Sequence, residues 1–550
     1  MDDVEGYNEM TLAVERAQRA RANSHDTPSE HSEHDSVLEV EDELLLKEGY
    51  ARRPLLHGGP RGLLRRIFSL HLFASAAAAA TPTRSSDRSL FRTIFNFPEP
   101  GRELRSTAWL DGLRGLAAFE VFVFHYNDGW INRTYAFGYE STSRPDWYYA
   151  PFIRTFFTSG DASVCLFFAI SGYVLSHKLL ILLRRGQHDK LYSSLSSAIF
   201  RRAIRLYMPV AVETFLLMLL TRLFGFPKAM PYEAASSFFG EIRTWAQQLA
   251  NIMLPFQNDP VKMFNHYDGG ISWTIPFEYY GSLQTYTGLL FLSRISNFAM
   301  RQSLMMCWVA KSFARDEWTS CQFTLGMALA DYYLHRDQQH YQPWLRPGPL
   351  RSRLFVLLFI FGFILSGLPT LLFADGKNIA HTIYPRPYFD VIIQPLVNLG
   401  LYDDRNMDRY LACAASLCCF VAVPEVRFFK RVTESRLVQY LGRISFGLYL
   451  CHIFLRAWLE PVKALALSIM SIDPALPAED TSHLRWFCAY LLFMSVAVVV
   501  NLFVAGLFER FLDRPSIKAG KWFEEWCLSK NKASSTDIAT WSPTQPFHNW

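Results

Sequence analysis

Leu110-Asp111-Gly112-Leu113-Arg114-Gly115-Leu116-Ala117-Ala118, running on to Phe124-His125-Tyr126, sets an arginine and a histidine into an apolar segment long enough to approach a bilayer crossing. Arg114 and His125 are eleven positions apart. At about 100° per residue that is three helical turns plus about 20°, so both side chains leave one helix face, roughly 16 Å apart along the axis. This is about half the depth of a hydrocarbon core. An ionisable group at such a depth costs roughly 2.5–3.5 kcal/mol on the lenient insertion scale, so its presence calls for a reason. A cationic group near one membrane face and a proton-handling group near the middle point to a reaction held inside the membrane.

Composition extends this reading to the whole chain. Half of the 550 residues are hydrophobic and 19% are charged, and the two kinds are segregated. Residues 1–105 are polar, acidic at first and then Arg-rich, whereas the rest alternates apolar runs with short charged loops. The expected fold class is all-α: a polytopic transmembrane helical bundle of about ten spans behind a disordered leader. Within the leader, residues 65–80 suggest an interfacial helix, being short for a span. The membrane domain is expected over 106–515, with a cytoplasmic tail over 516–550. The net charge of +5 comes with no basic patch interleaved with aromatics, which argues against nucleic acid as a partner. Nine cysteines lie mostly in apolar runs without a CxxC pair, so neither a disulfide framework nor a metal site is expected.

The candidate crossings centre near 109–129, 156–183, 205–225, 273–293, 295–311, 319–335, 353–374, 409–424, 440–460 and 485–510. Arg301 and Asp331 make the fifth and sixth the weakest. A segment from Tyr388 to Leu399 is too short to span and reads as re-entrant or superficial. Lys and Arg concentrate before the first span, in alternate loops (Arg184, Arg185, Lys190; Arg336, Arg351; Arg427, Lys430, Arg431) and after the last. By the positive-inside rule both termini are cytoplasmic, in an endomembrane or plasma membrane. Asn132-Arg133-Thr134, a glycosylation sequon, falls in the first lumenal loop of this topology.

Four groups can carry chemistry. His125 is the leading general base, since an imidazole accepts a hydroxyl proton and returns it. Arg202 and Arg205, in Arg201-Arg202-Ala203-Ile204-Arg205, share a helix face at the mouth of the third span and suit phosphate; on this feature alone, ordinary positive-inside flanking is the stronger explanation. Glu278, in Ser272-Trp273-Thr274-Ile275-Pro276-Phe277-Glu278, needs a partner, and could orient His125, bind an acceptor or pair with an arginine. His452, closing Gly442-Arg443-Ile444-Ser445-Phe446-Gly447-Leu448-Tyr449-Leu450-Cys451-His452, reads as structural, as does Phe167-Phe168-Ala169-Ile170-Ser171-Gly172-Tyr173. Pro209, Glu213 and Asp331 have no evident role. There is no P-loop, Rossmann fingerprint, G-x-S-x-G or HExxH motif.

Taken together, LDGLRGLAA with its arginine and histidine, FFAISGYVLS, RRAIRLYMP, SWTIPFEYY and GRISFGLYLCHIF resemble, in order, the blocks of the acyltransferase family 3 proteins, integral-membrane O-acyltransferases. The resemblance covers roughly residues 106–515. It implies no permanently bound cofactor but an acyl-CoA donor, commonly acetyl-CoA, reached from the cytoplasm. It implies a hydroxylated acceptor too, a glycan or a small metabolite. It assigns Arg114 and His125 to the active site, Arg202 and Arg205 to the donor's phosphates, and Glu278 to the family's glutamate. Trp273-Thr274-Ile275 departs mildly from the family's Trp-Ser-Leu type of block before that glutamate. A multi-pass transporter for an amphipathic or anionic substrate is the competing expectation.

Overall fold

The computed structural model describes residues 95, 97, 104–130, 151–254, 263–315, 317–338, 348–367, 407–473 and 482–538. The chain divides into two units, 1–87 and 88–550, and every described residue belongs to the second. The 65–80 segment, the Asn132 sequon and the 388–399 segment lie outside the described residues.

The described residues are helical, with no strand among them. In chain order the helices are α1 (Ala108–Tyr126), α2 (Pro151–Thr158), α3 (Gly160–Arg184), α4 (His188–Phe224), α5 (Phe238–Met253), α6 (Thr274–Leu292), α7 (Phe298–Ala314) and α8 (Trp318–Gln338). They continue as α9 (Pro349–Ser366), α10 (Met407–Ala422), α11 (Arg427–Thr433), α12 (Arg436–Trp458), α13 (Glu460–Ile469), α14 (His483–Phe508) and α15 (Arg514–Ile538). A 3-10 turn, Ile271–Trp273, leads into α6, and a π-helical segment, Glu509–Asp513, joins α14 to α15.

A helix occupies the described part of each stretch read as a crossing. By length and apolarity alone, α3, α4, α9 and the continuous helix His483–Leu528 can cross a membrane; a fifth is added if the segments 409–425 and 427–433, bent by 100°, count as one span. The protein is an integral membrane protein, while the figure of ten spans goes beyond what these criteria give. Several of the remaining helices are shorter than 18 residues, and others carry charged groups that the bundle pairs internally. Asp331 on α8 is the clearest case. Fully buried, it receives Arg184 of α3 at 2.7 Å and Arg301 of α7 at 3.1 Å. Arg301 also donates to the carbonyls of Ile295 and Ser296. Breaking such a pair strands a charge in a low dielectric, which costs about 3–5 kcal/mol.

One boundary differs from the sequence reading. The third crossing was expected from residue 205, but α4 begins at His188 and runs for 37 residues. Its first half is held by α15: Phe200 stacks on Phe523 with ring centroids 5.2 Å apart, and Arg201 pairs with Glu524 at 3.2 Å. Arg202 therefore lies about 21 Å along a helix rather than at its mouth. The same packing shows that the limit expected at residue 515 falls within continuous helix.

α1 sits against both α3 and α12. Its contact with α12 is backbone on backbone: a Cβ added to Gly115 would lie 2.2 Å from the Gly442 nitrogen, and one added to Gly442 would lie 2.2 Å from the Asp111 carbonyl oxygen. Only glycines permit that approach. Gly447 meets α14 in the same way, at Ala505 and Phe508.

Candidate active site

The glycine contact places the arginine end of α1. Arg114 Nη2 donates to the Gly442 carbonyl at 3.1 Å and lies 3.4 Å from Asp111 Oδ1, while its Nε is buried without a hydrogen-bond partner. Arg205 on α4 is exposed. The charges of Arg205, Arg114 and Arg514 all bear on one carboxylate, that of Asp513, which lies in the π-helical segment. In the same segment Glu509 receives Arg514 at 2.6 Å and Arg443 at 3.4 Å. Arginines from α1, α4, α12 and α15 thus gather around two acidic groups where α14 ends. Asp513 and Glu509 escaped the sequence reading because nothing in a linear string brings α14's end to α1. The signal that existed was two carboxylates closing the most apolar run in the chain.

The histidine end lies at the far end of α1. The rings of His125 and His452 are 5.1 Å apart between centroids and inclined by 41°. His452 is fully buried, with Nδ1 3.2 Å from the Leu448 carbonyl and Nε2 without a partner. Because a carbonyl only accepts, Nδ1 carries the proton and Nε2 presents a lone pair. Arg456 Nη1 donates to the His125 carbonyl at 2.8 Å and to Asp128 at 3.0 Å, pinning the end of α1 to α12. Sequence reading took His452 as structural; its open nitrogen beside His125 brings it into the site.

Glu278 does not meet a histidine. Its Oε1 takes Arg202 Nη2 at 2.5 Å and the Ser171 hydroxyl at 2.6 Å. Arg202 Nε donates to Ser282 Oγ at 2.9 Å, and Ser282 donates to the Glu278 carbonyl. Of the sequence-level alternatives for Glu278, the structure thus shows the arginine partner. In this structure Arg202, expected at the donor's phosphates, is therefore engaged by Glu278. Its Nη1 alone makes no hydrogen bond among the described residues. Arg205, one turn further along α4, leaves the helix on the exposed side.

A further acidic group bears on Cys451, the residue before His452 in the chain. Glu213 on α4 is buried with neither carboxylate oxygen hydrogen-bonded, and the charge of Asp268, in the loop before α6, bears on it. Among the described residues no three His, Cys, Asp or Glu side chains group as a metal site. The arrangement offers an arginine cluster fit for an anionic ligand and, up the same helix face, paired imidazoles fit for moving a proton.

The family described as an acyltransferase domain matches residues 107–505. O-acetyltransferase PaAT-1 of Phomopsis amygdali is 28% identical over 483 residues, covering 80% of this chain and 90% of that protein. Acyltransferase R4 of a Phoma species is 23% identical, over 75% of this chain and 94% of its own. Acyltransferase clz18 of Cochliobolus lunatus is 24% identical, over 74% and 94%. No solved structure matches. The glycine-bonded α1–α12 pair, with its arginine and histidine, lies inside the matched region, and the chain belongs to the acyltransferase 3 family.

Proposed function

We propose that the protein is a membrane O-acyltransferase that moves an acyl group, acetyl in the simplest case, from acyl-CoA to a hydroxyl. It spans the membrane about ten times with both termini cytoplasmic. The observation that carries this reading is that one face of α1 joins the arginine cluster to the histidine pair. Arg114 and Arg205 supply the donor's phosphates with guanidinium forks, which suit paired oxygens. Arg202, tied to Glu278, fixes the wall between them and offers Nη1. The thioester is then drawn along α1 toward His125.

The chemistry balances with groups on this chain. His125 takes the acceptor's hydroxyl proton as the oxygen attacks the thioester carbonyl. The tetrahedral centre collapses, the carbon–sulfur bond breaks, and the imidazolium returns the proton to the departing thiolate. An ester and free CoA result. A base held in such a site contributes about 10²–10⁴-fold in rate.

The test is thiol release from acetyl-CoA by the full chain in nanodiscs, with hydroxylated acceptors, beside His125→Ala. Turnover by wild type that the variant loses supports the reading. Equal turnover by both removes His125 from it.

A further inference from the structure

The crossings read from the sequence pass over α5. This helix begins at Ser237, whose hydroxyl accepts from the Gly240 N–H at 3.0 Å, and stops at Leu254, whose extended backbone suits the proline that follows it. Its residues divide into three arcs. At about 100° per residue, Phe239, Ala246, Ala250 and Met253 fall within about 60° of one another, and all four are exposed. Phe239 is 81% exposed. Exposed Arg243 and Gln247, with half-buried Asn251, occupy the neighbouring arc. Glu241, Trp245, Gln248 and Ile252 form the third, which turns inward.

The inward arc is where hydrogen bonds are made. Trp245 Nε1 donates to Thr214 Oγ1 of α4 at 3.0 Å. Glu241 accepts from the Tyr267 hydroxyl at 2.8 Å and from the Ala235 N–H at 2.7 Å, and Gln248 Oε1 accepts from the His266 N–H at 3.2 Å. A helix that faces water on its outer side carries its apolar residues inward. α5 buries a glutamate and a glutamine and turns a phenylalanine, a methionine and two alanines outward.

Its position explains the inversion. Arg222, at the end of α4, donates to the Ser236 carbonyl at 3.3 Å, and Trp458, at the end of α12, donates to the Pro227 carbonyl at 3.0 Å. α5 therefore lies at the His125 end of the bundle. There α4, long and apolar enough to cross a membrane, exposes Leu216, Leu223 and Phe224, and the Arg222–Ser236 bond brings the start of α5 against that surface. With 16 residues, α5 is about 24 Å long, short of a hydrocarbon core of about 30 Å. An apolar face beside a polar one is the pattern of a helix lying in the membrane plane. The exposed charged residues between 222 and 243 are Arg222, Lys228, Glu233 and Arg243, an excess of cations suited to phosphate headgroups.

We propose that α5 is an interfacial helix seated in the leaflet at the His125 end, its apolar arc among acyl chains and its polar arc among headgroups, and that this seat holds the 265–270 loop against α12. The loop is what α5 grips from within, at Tyr267 and His266. Gly269 of the loop, at φ 74°, packs on Ile453, the residue after His452. The bilayer thus bears, through α5, on the segment of α12 that carries the second histidine.

Photo-crosslinking tests the seat. p-Benzoyl-L-phenylalanine replaces Phe239, Ala246 or Gln247 in the full chain, held in phosphatidylcholine nanodiscs, and mass spectrometry counts lipid adducts. These side chains are exposed, so the replacements leave the packing intact. Adducts at Phe239 and Ala246 are expected about fivefold more often than at Gln247. Lipid adducts at Phe239 no more frequent than at Gln247, or cross-links to a second copy in their place, overturn the seat. Hydrogen exchange tests the hold on the loop. The Gly270 amide, which donates to the Asn265 carbonyl at 2.7 Å, should exchange about tenfold faster in Phe239→Asp and at the wild-type rate in Gln247→Asp. Unchanged exchange in Phe239→Asp, or equal acceleration in both variants, overturns the coupling.

Discussion

Arg202 Nη2 and Glu278 Oε1 stand 2.5 Å apart between α4 and α6, and Ser171 of α3 donates to the same oxygen. Three helices are thereby fastened at one ion pair whose side chains are only 10% and 15% exposed. Glu278→Ala strands the guanidinium and is expected to lower stability by about 3–5 kcal/mol. The double replacement Arg202→Met with Glu278→Leu should recover most of that loss. Denaturation in detergent decides: additive losses would mean that the pair is not coupled.

For the histidine pair the expected outcomes differ. His125→Ala should lower kcat by about 10²–10⁴-fold, with KM for acetyl-CoA changed less than about threefold. His452→Leu removes the lone pair beside it without touching the base. It should retain more activity than His125→Ala and displace the acidic limb of the pH–rate profile. Identical profiles for wild type and His452→Leu would confine His452 to packing.

At the arginine end, Arg205→Ala is expected to raise KM for acetyl-CoA about tenfold, more at low salt than at high, because its guanidinium is exposed and screened. Asp513→Asn should act oppositely. Its charge faces both Arg205 and Arg114, so neutralising it leaves more positive potential for phosphate and should lower the donor's KM about threefold to tenfold. Initial rates at two ionic strengths measure both. A raised KM in Asp513→Asn would place the carboxylate on the binding side instead.

Asp268 predicts a pH signature. Burial raises its carboxyl from 3.8 to about 6. Between these values the folded protein binds more protons than the unfolded chain, so stability falls as pH rises through the window, by about 2–3 kcal/mol when complete above pH 6. Asp268→Asn cannot titrate there. Melting curves from pH 4 to 7 should show the wild type losing ground to the variant as pH rises; parallel curves would refute the shift.

How much of this was legible in the sequence depended on the range of the contact. The periodicity that set Arg114 and His125 on one face is local, and α1 displays it. Apolar runs located the helices, yet Arg301 and Asp331 made α7 and α8 look doubtful because their remedy is each other, some thirty residues away in sequence. Arg202 looked like a loop-flanking charge because α15, which holds the first half of α4 in helix, lies more than three hundred residues further on. Its partner Glu278 was visible as a buried acid, but an isolated acid does not name its cation. Glu213 and Asp268 gave no motif at all. Their shared feature, full burial of a carboxylate, is a property of the packed state only.

The π-helical segment between Glu509 and Asp513 has a consequence for how this protein tolerates change. A π turn accommodates one residue more than an α turn, at a register the rest of the helix does not share. Removing a residue from the regular α-helix just before it, where no turn absorbs the change, would swing everything beyond by about 100°. Asp513 and Arg514 would leave their neighbours, and Phe523 and Glu524 would lose their places on α4, although no contact had been substituted. In that short stretch the chain's length, rather than its chemistry, is what holds the two ends of the bundle in phase.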